Sequence, residues 1–326
     1  MNVFLTGATG FVGLALLNRF VADGCAVTAL VRNASVELPD GVKQVVGDLG
    51  DLSGLQIAGQ ACNDTLLADL SGCDVVVHAA ARAHIMRDEV NDPLAEYRKV
   101  NCDATLALAR LAAQAGVRRF VFVSSIGVNG KQNTRPFTEN DVPDPHDAYS
   151  LSKYEAEQGL LQIAKEIDME VVIIRPPLVY GANAPGNFGS LVKWVRKGVP
   201  LPLGAVHNQR SLVALENLVD FIALCADSAR SPKAANEVFL IADGVDVSTS
   251  DLLRKVAKAC GVKSRLLPVP VGVMSFAAGL LGKRAVADRL FGNLQVDSSK
   301  AQNLLGWKPV VTMDEQLEKI AKEYNS

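Results

Sequence analysis

Short apolar runs alternate with longer amphipathic segments through the first half of the chain. The runs are apolar at consecutive positions and not at every second one, which is typical of strands buried on both faces of a parallel sheet. They predict six strands, at 3–5, 27–31, 42–46, 75–77, 120–123 and 171–174. Helical periodicity predicts helices between the strands at 13–22, 64–70, 93–115 and 148–167.

This alternation predicts an α/β fold with a Rossmann-type doubly wound parallel sheet. The regular pattern ends after the pair Pro176-Pro177, and Pro, Gly and Asn become frequent. We therefore expect a first domain at 1–177 and a smaller mixed α/β substrate lobe at 178–326, with one or two segments crossing back to the first domain. Helices are predicted in that lobe at 188–197, 217–227 and 249–260. The lobe is expected to cover the carboxyl ends of the strands, where such sheets bind ligands.

One apolar segment, 269–281, belongs to none of these elements. It is too short to span a bilayer and is interrupted by Pro270, Gly272 and Gly279. We interpret it as a segment that faces the core, with peripheral membrane contact as the alternative. Stable membrane insertion is not expected.

Composition narrows the class of protein further. The chain has 326 residues, 49% hydrophobic and 21% charged, with a formal net charge of -2, and nothing in it indicates nucleic-acid binding. The six cysteines form no Cys-x-x-Cys pair and the four histidines have no metal-ligand spacing, so we expect reduced thiols and no metal. The apolar start is broken at once by glycines and has no basic region, unlike a signal peptide. A cytoplasmic location is the expectation.

A glycine turn, Gly7, Gly10 and Gly13, lies between the first predicted strand and the first predicted helix. Glycines allow a sharp turn and a close backbone approach, while free N–H groups at a helix start attract phosphate. The spacing Gly-x-x-Gly-x-x-Gly therefore predicts a dinucleotide site in the first domain, the alternative being a glycine-rich connection without a ligand.

Three further residues carry candidate chemistry. Tyr149 and Lys153 are four apart at the start of a predicted helix, so their side chains lie on one face. An ammonium beside a phenol is expected to lower the tyrosine pKa from about 10 and make it a proton donor and acceptor. Ser125 follows the strand at 120–123 and could hydrogen-bond a substrate oxygen. The alternative is a surface Tyr and Lys with a Ser that caps a strand.

Taken together, these residues resemble the extended short-chain dehydrogenases/reductases, the family of NAD-dependent epimerases and dehydratases that act on nucleotide sugars. The resemblance runs nearly end to end and includes the closing motif at 305–309. It implies catalysis by Ser125, Tyr149 and Lys153. It also implies cofactor contacts by Gly7, Gly10, Phe11, Val12, Gly13, Asp48, Leu49, Ala79, Ala80, Ala81, Tyr149, Lys153 and Pro176.

For the substrate, the resemblance implies that Asn187 lies near a nucleotide-sugar diphosphate, which Arg210 and Arg289 also bind, with Ser125 at the sugar. A surface charge is an equal alternative for Arg289. Relatives pair through the helices that correspond to 93–115 and 148–167, so a homodimer is expected.

Two departures from the family pattern bear on activity. Members that prefer NAD carry an acid after the second strand, whereas this chain has Val31 and then Arg32, which favours NADP(H), with NAD(H) possible. Dehydratases place an Asp-Glu pair after the active-site serine, and this chain has Ile126-Gly127, so dehydration is not expected.

The favoured hypothesis is NADPH-dependent reduction of a UDP-4-keto-(6-deoxy)-N-acetylhexosamine, as in bacterial surface-polysaccharide synthesis. The alternative is a 4-epimerase of UDP-glucose or UDP-N-acetylglucosamine with tightly bound NAD. A non-catalytic NADP-sensing protein would be expected to lack the Tyr-Lys pair. A reductase of small lipophilic carbonyls would leave Asn187 and Arg210 unsatisfied.

Overall fold

A computed structural model of the chain describes residues 1–52, 60–83, 92–185, 187–282 and 284–324. Its strands, in chain order, are β1 (Asn2–Thr6), β2 (Ala26–Val31), β3 (Lys43–Val46), β4 (Val75–His78), β5 (Arg119–Val123), β6 (Glu170–Arg175), β7 (Leu178–Tyr180), β8 (Leu212–Ala214) and β9 (Glu237–Leu240). Seven of them form one parallel sheet in the order β3-β2-β1-β4-β5-β6-β9, and β7 and β8 form a small parallel pair. The predicted doubly wound fold is confirmed, with each of the six predicted strands correct to within one residue at either end.

The helices, in chain order, are α1 (Phe11–Ala22), α2 (Leu49–Leu52), α3 (Gln60–Leu70), α4 (Pro93–Arg98), α5 (Ala104–Gln114), α6 (Ala148–Glu166), α7 (Asn187–Arg196), α8 (Leu215–Ala226), α9 (Thr249–Ala259), α10 (Val271–Leu280), α11 (Arg284–Phe291), α12 (Ser299–Leu305) and α13 (Met313–Glu323). A π-helical turn, Lys99–Asp103, joins α4 to α5 within the helix predicted at 93–115. Short 3-10 helices follow β5 at Ile126–Val128 and precede β9 at Pro232–Ala234.

Helices cover both faces of the main sheet. On β1, Val3 and Leu5 point into one apolar cluster that also contains residues of α1 and α8. Phe4 points into the opposite cluster, with residues of α5 and α6. Because both faces are buried, successive residues of the strand are all apolar, which is the pattern that the sequence displays.

Residues after 177 contribute to both parts of the molecule. A third apolar cluster is built from β7, β8, α7, α9 and α13. By contrast, β9 extends the main sheet beside β6, and α8 packs on the same face of that sheet as α1. The division of the chain at residue 177 into two domains stays a prediction.

The helix α10 corrects the interpretation of 269–281 as a segment facing the core. None of its residues is buried, and Val273, Phe276 and Leu280 are 58%, 71% and 74% exposed. Only Val271 and Met274 pack against the third cluster. The apolar composition of this helix is therefore not matched by burial. In the part of the chain that the structure describes, no helix is long and apolar enough to cross a membrane.

Arg119 is a fully buried charge at the start of β5. Its Nη1 donates to the carbonyl of Cys225 and to the hydroxyl of Ser231, both at 2.8 Å, and its Nε donates to Glu170 at 2.7 Å. The side chain therefore ties β5 to β6 and to the end of α8.

Replacing Arg119 by alanine should remove these bonds, including the one that its guanidinium donates to the carbonyl of Cys225 in the interior. We expect Arg119→Ala to lower the free energy of unfolding by about 3 kcal/mol, measured by urea denaturation. The control is the exposed neighbour Arg118, where alanine should change stability by less than about 0.5 kcal/mol. Equal effects at the two positions would show that the buried bonds do not stabilise the fold.

Candidate active site

The glycine turn lies against the end of β4. Gly7 has φ +74°, and a Cβ placed on it would lie 2.7 Å from the backbone nitrogen of Ala80. A Cβ on Gly13 would collide with the carbonyl of Gly7. The backbone nitrogens of Ala79 and Ala80 donate to the carbonyl and the hydroxyl of Thr6, each at 3.3 Å. Glycine is therefore required at positions 7 and 13, and the predicted residues 79 and 80 meet the turn.

The start of α1 fits a dinucleotide pyrophosphate. Gly10 is the N-cap residue, and among the described residues no side chain caps the helix here. Thr9 and Gly10 are exposed, whereas Phe11 and Val12 are half-buried. A Cβ on Gly10 would lie 3.2 Å from the carbonyl of Gly7. Because glycine has no side chain, the N-terminus of α1 is left uncovered at this position. Free N–H groups at a helix N-terminus bind anions such as phosphate.

Other predicted cofactor residues lie at the same edge of the sheet. Arg32 is exposed directly after β2, whose Leu30 pairs with Thr6 of β1. Asp48 is also exposed, and its Oδ1 accepts from the backbone nitrogen of Gly50 at 2.8 Å. The next two predicted positions differ, since Leu49 is buried in the cluster of α5 and α6 whereas Ala81 is exposed after β4.

The 3-10 helix that follows Ser125 packs against α6. The hydroxyl of Ser125 accepts from the backbone nitrogen of Gly127 at 3.1 Å. A Cβ on Gly127 would collide with the hydroxyl of Ser150, which follows Tyr149 in the chain. The backbone nitrogen of Ile126 donates to the carbonyl of Pro176 at 3.0 Å. The structure thus places Ser125, Pro176 and the start of the Tyr149 helix together, with no room for a side chain at 127.

The ammonium of Lys153 is buried below the end of β5. Its Nζ donates to the carbonyl of Val123 at 2.9 Å and lies 4.4 Å from the ring centroid of Phe122. Burial lowers the pKa of Lys153 to about 7, and the carboxylate of Glu157 opposes this shift. The proton of Lys153 is therefore held loosely near neutral pH, at a carbonyl two residues before Ser125.

Tyr149 differs from the expectation. Its ring meets that of Tyr97 edge to face, with the centroids 6.2 Å apart. Burial raises the pKa of Tyr149 above its ordinary value, as do Asp147 and Tyr97, so the predicted lowering is wrong for this arrangement. The reason is that Lys153 donates to the carbonyl of Val123, and the burial of the phenol dominates.

A buried polar network behind α6 was not predicted. The carboxylate of Glu157 accepts from the hydroxyl of Ser124 and from Nε of Arg175, the latter at 3.0 Å. Nη1 of Arg175 donates to Asn129 at 2.9 Å, and Asn129 in turn donates to the carbonyl of Thr138 at 3.1 Å. Two features of the sequence could have indicated this network. Arg175 ends an apolar strand, and Glu157 follows Lys153 by one helical turn.

A second buried group, His78, links the glycine turn to α5. Its Nδ1 lies 2.7 Å from the hydroxyl of Thr6 and its Nε2 lies 2.9 Å from that of Thr105. Burial, with a smaller effect of Lys153, lowers the pKa of His78 to about 3, so the imidazole is neutral. Nearby, the side chain of Asn101 donates to the hydroxyl of Ser152 at 3.0 Å. These bonds fix the end of β4 and the first turns of the Tyr149 helix.

Two predicted substrate residues, Arg210 and Arg289, lie close together in the structure. Nη1 of Arg210 donates to the carbonyls of Arg289 and Gly292 at 2.8 and 3.2 Å. Burial lowers the pKa of Arg210, and the charge of Arg289 adds to this effect. Nη2 of Arg289 lies 4.0 Å from Asp147, the N-cap residue of α6. Of the other predicted substrate residues, Asn187 begins α7, but its side chain lies outside the described residues.

Comparison with known proteins agrees with this geometry. Residues 3–242 match the model of the NAD dependent epimerase/dehydratase family. UDP-glucose 4-epimerase of Vibrio cholerae is 43% identical over 327 residues, covering 99% of this chain and 95% of the relative. N-acetyl-alpha-D-glucosaminyl-diphospho-ditrans,octacis-undecaprenol 4-epimerase of Escherichia coli O157:H7 is 31% identical, covering 84% and 77%.

A solved structure shares the fold. UDP-glucose 4-epimerase of Thermus thermophilus in complex with NAD has a TM-score of 0.78 and 23% identity, covering 100% of this chain and 99% of that one. The family match and the 43% identical relative confirm the resemblance. The chain is an enzyme of the NAD dependent epimerase/dehydratase family.

Proposed function

We propose that the protein is a 4-epimerase of a UDP-hexose, with UDP-glucose as the first substrate to test. The observation that carries the proposal is that the helical turn after Ser125 packs against Ser150, the neighbour of Tyr149, while the buried ammonium of Lys153 donates to the carbonyl of Val123. The relative that is 43% identical over almost the whole chain is a UDP-glucose 4-epimerase. Both support chemistry at a sugar hydroxyl.

Each of the three side chains has a definite task in this proposal. Because the pKa of Tyr149 is raised in this structure, the phenol would first have to lose its own proton. It would then take the proton of the C4 hydroxyl and return it to the C4 carbonyl oxygen after the sugar has rotated in the site. Ser125 would hydrogen-bond that same oxygen, and Lys153, which in this structure donates to the carbonyl of Val123, would supply positive charge one helical turn from Tyr149. NAD, when bound, would supply the hydride chemistry at C4 that an epimerisation requires. The glycine turn at 7–13 and residues 79–80 would hold this cofactor.

The two arginines fit a diphosphate. Arg210 and Arg289 are close enough for burial and mutual repulsion to lower the pKa of Arg210. An anion between two guanidiniums would relieve that repulsion, and each guanidinium presents several donors to phosphate oxygens. Because Arg289 also reaches towards Asp147 at the start of α6, a bound diphosphate would orient the sugar towards Tyr149.

A second candidate is NADPH-dependent reduction of a UDP-4-keto-(6-deoxy)-N-acetylhexosamine. Arg32 favours it, because this exposed side chain follows β2 where an acid would bind the adenosine ribose hydroxyls. Among the described residues no carboxylate lies within ion-pair distance of Arg32, so its guanidinium could receive a 2′-phosphate. The raised pKa of Tyr149 is also compatible with this role, since a phenol at neutral pH is ready to donate a proton to a ketone.

The first prediction separates the two candidates. Mass spectrometry should identify NAD retained by the purified protein, and nuclear magnetic resonance should show interconversion of UDP-glucose and UDP-galactose without added NADPH. Stoichiometric NADPH oxidation with a UDP-4-keto sugar, and no interconversion of UDP-glucose or UDP-N-acetylglucosamine, would establish the reductase instead.

Tyr149→Phe should lower turnover by at least about 100-fold, because it removes the proton donor and acceptor while keeping the ring. Cofactor binding, followed by fluorescence, should be unchanged. Tyr154→Phe on the same helix is the matched control and should keep full activity. A Tyr149→Phe enzyme with normal turnover would exclude the phenol from proton transfer.

Lys153→Met should reveal the buried ammonium through the pH dependence of stability. Since the pKa of Lys153 is about 7 in the fold and 10.5 as a free side chain, the unfolded chain binds more protons between these values. Raising the pH from about 7 to 10.5 therefore stabilises the wild-type protein relative to the variant, with plateaus on either side. Urea denaturation across this range measures the difference, and a constant difference would mean that Lys153 stays charged in the fold.

Arg32→Ala tests the cofactor. If Arg32 binds a 2′-phosphate, the variant should bind NADPH roughly tenfold more weakly while its affinity for NADH is unchanged. Arg118→Ala, which removes the same charge at the opposite end of the sheet, controls for a general effect of charge. Equal NADPH affinity in wild type and Arg32→Ala would remove the argument for NADP(H).

A further inference from the structure

The outer side of α10 is an exposed apolar stripe. Val273, Phe276 and Leu280 follow the helical spacing of three and four residues that places side chains on one face. Leu281 continues the stripe, and Leu267, before the helix, is exposed as well. We define the α10 surface as these five residues. Single exposed apolar residues are ordinary, but a continuous stripe marks an interaction site.

The α10 surface belongs to a helix that is held firmly in place. The opposite side of α10 holds Val271 and Met274 against the third apolar cluster, so the helix is anchored. The segment before it is also fixed, because the backbone of Leu267 forms hydrogen bonds with Leu201 and Gly204, at 2.8 and 2.9 Å. A well-anchored helix thus presents apolar side chains outwards.

The charge around this surface has one sign. Between Asp251 and Asp288 the sequence contains no acidic residue, and its seven cations are Arg254, Lys255, Lys258, Lys263, Arg265, Lys283 and Arg284. Arg254 pairs with Asp251 on α9, and Lys255 pairs with Asp314 on α13. In the part of the chain that the structure describes, no carboxylate lies within 4.0 Å of Lys258, Lys263 or Arg265. Along the chain, cations without an ion-pair partner therefore precede the apolar stripe, and we call them its positive border.

An exposed tryptophan extends the border. Trp194 is near the end of α7, and its carbonyl accepts from the backbone nitrogen of Val199, an exposed residue beside the strand-like pairing of Leu201 with Leu266. The guanidinium of Arg265 lies close to Gly198 in the same place. Tryptophan, aliphatic residues and cations in one region are typical of proteins that lie at a membrane interface.

We infer that the α10 surface docks peripherally onto an anionic phospholipid bilayer, with α10 in the plane of the interface and the surrounding cations on lipid phosphates. The ten residues of α10 extend about 15 Å, enough to lie along a membrane but not to cross it. The apolar stripe would enter the boundary between headgroups and acyl chains.

Charge distinguishes the bilayer from a second copy of the chain. A two-fold contact through the α10 surface would place the same uncompensated cations against one another, because such an interface buries the same patch on both subunits. An anionic bilayer neutralises them. An anionic bilayer can therefore both bury the apolar stripe and neutralise the cations beside it, whereas a second copy of the chain can only bury the stripe.

The experiment is flotation of the full-length protein with vesicles of phosphatidylglycerol and phosphatidylethanolamine in about 0.1 M salt, where surface charges still act over about 10 Å. Wild type should float with these vesicles and remain unbound with pure phosphatidylcholine. Val273→Asp and Phe276→Asp should each weaken binding roughly tenfold, and Lys258→Glu/Lys263→Glu should do so as well.

Val310→Asp is the matched control, because Val310 is 55% exposed against 58% for Val273 and lies outside the α10 surface. It should float like wild type. All variants should keep the wild-type melting temperature, since the substituted side chains are exposed. Failure of wild type to float with anionic vesicles would overturn the inference, as would equal binding by Val273→Asp. A dimer in sedimentation that Val273→Asp dissociates, without vesicle binding, would assign the surface to a second copy.

Discussion

The carboxylate of Glu157 is the interaction on which the arrangement of the proposed site depends. It joins α6 to the residue after β5, through Ser124, and to the end of β6, through Arg175. Lys153 lies one turn earlier on the same helix. The bonds of Glu157 therefore also fix the position of the Lys153 ammonium relative to the end of β5. The chain cannot shift α6 along the sheet without breaking a buried ion pair, which is costly because each partner would be left as an unpaired charge.

The same anion sets the charge of the site. Burial alone would drive the proton from Lys153, and Glu157 opposes that tendency, which leaves the pKa at about 7. Arg175 compensates the charge of Glu157 from the other side, and Asn129 completes the donors and acceptors around the guanidinium. The result is a lysine with a mobile proton, one helical turn from a tyrosine that remains protonated at neutral pH. A substrate oxygen or a cofactor hydroxyl that approaches Lys153 and Tyr149 would be able to shift the protonation equilibrium of either side chain.

Local signals explain why most of the fold could be predicted. Doubly buried strands and the glycine turn leave a mark within a few residues, so β1 to β6 and the turn between β1 and α1 follow from short stretches of sequence. The network of Glu157 depends on tertiary contacts between distant elements and leaves no periodic pattern. Gly127 shows the same limit. The sequence indicates only that an acid is absent there, whereas the structure shows that Ser150 leaves no space for any side chain.

The error over α10 has a different cause. Hydropathy measures how apolar a segment is, but it does not say whether protein, lipid or another chain covers it. The composition of the flanking segments carries that information, because a core helix needs no border of cations and a monomer surface rarely excludes acids over so long a stretch. From Leu252 to Ala287 the chain has seven cations and no acid. Apolar content together with one-sided charge indicates an interface, and neither property does so alone.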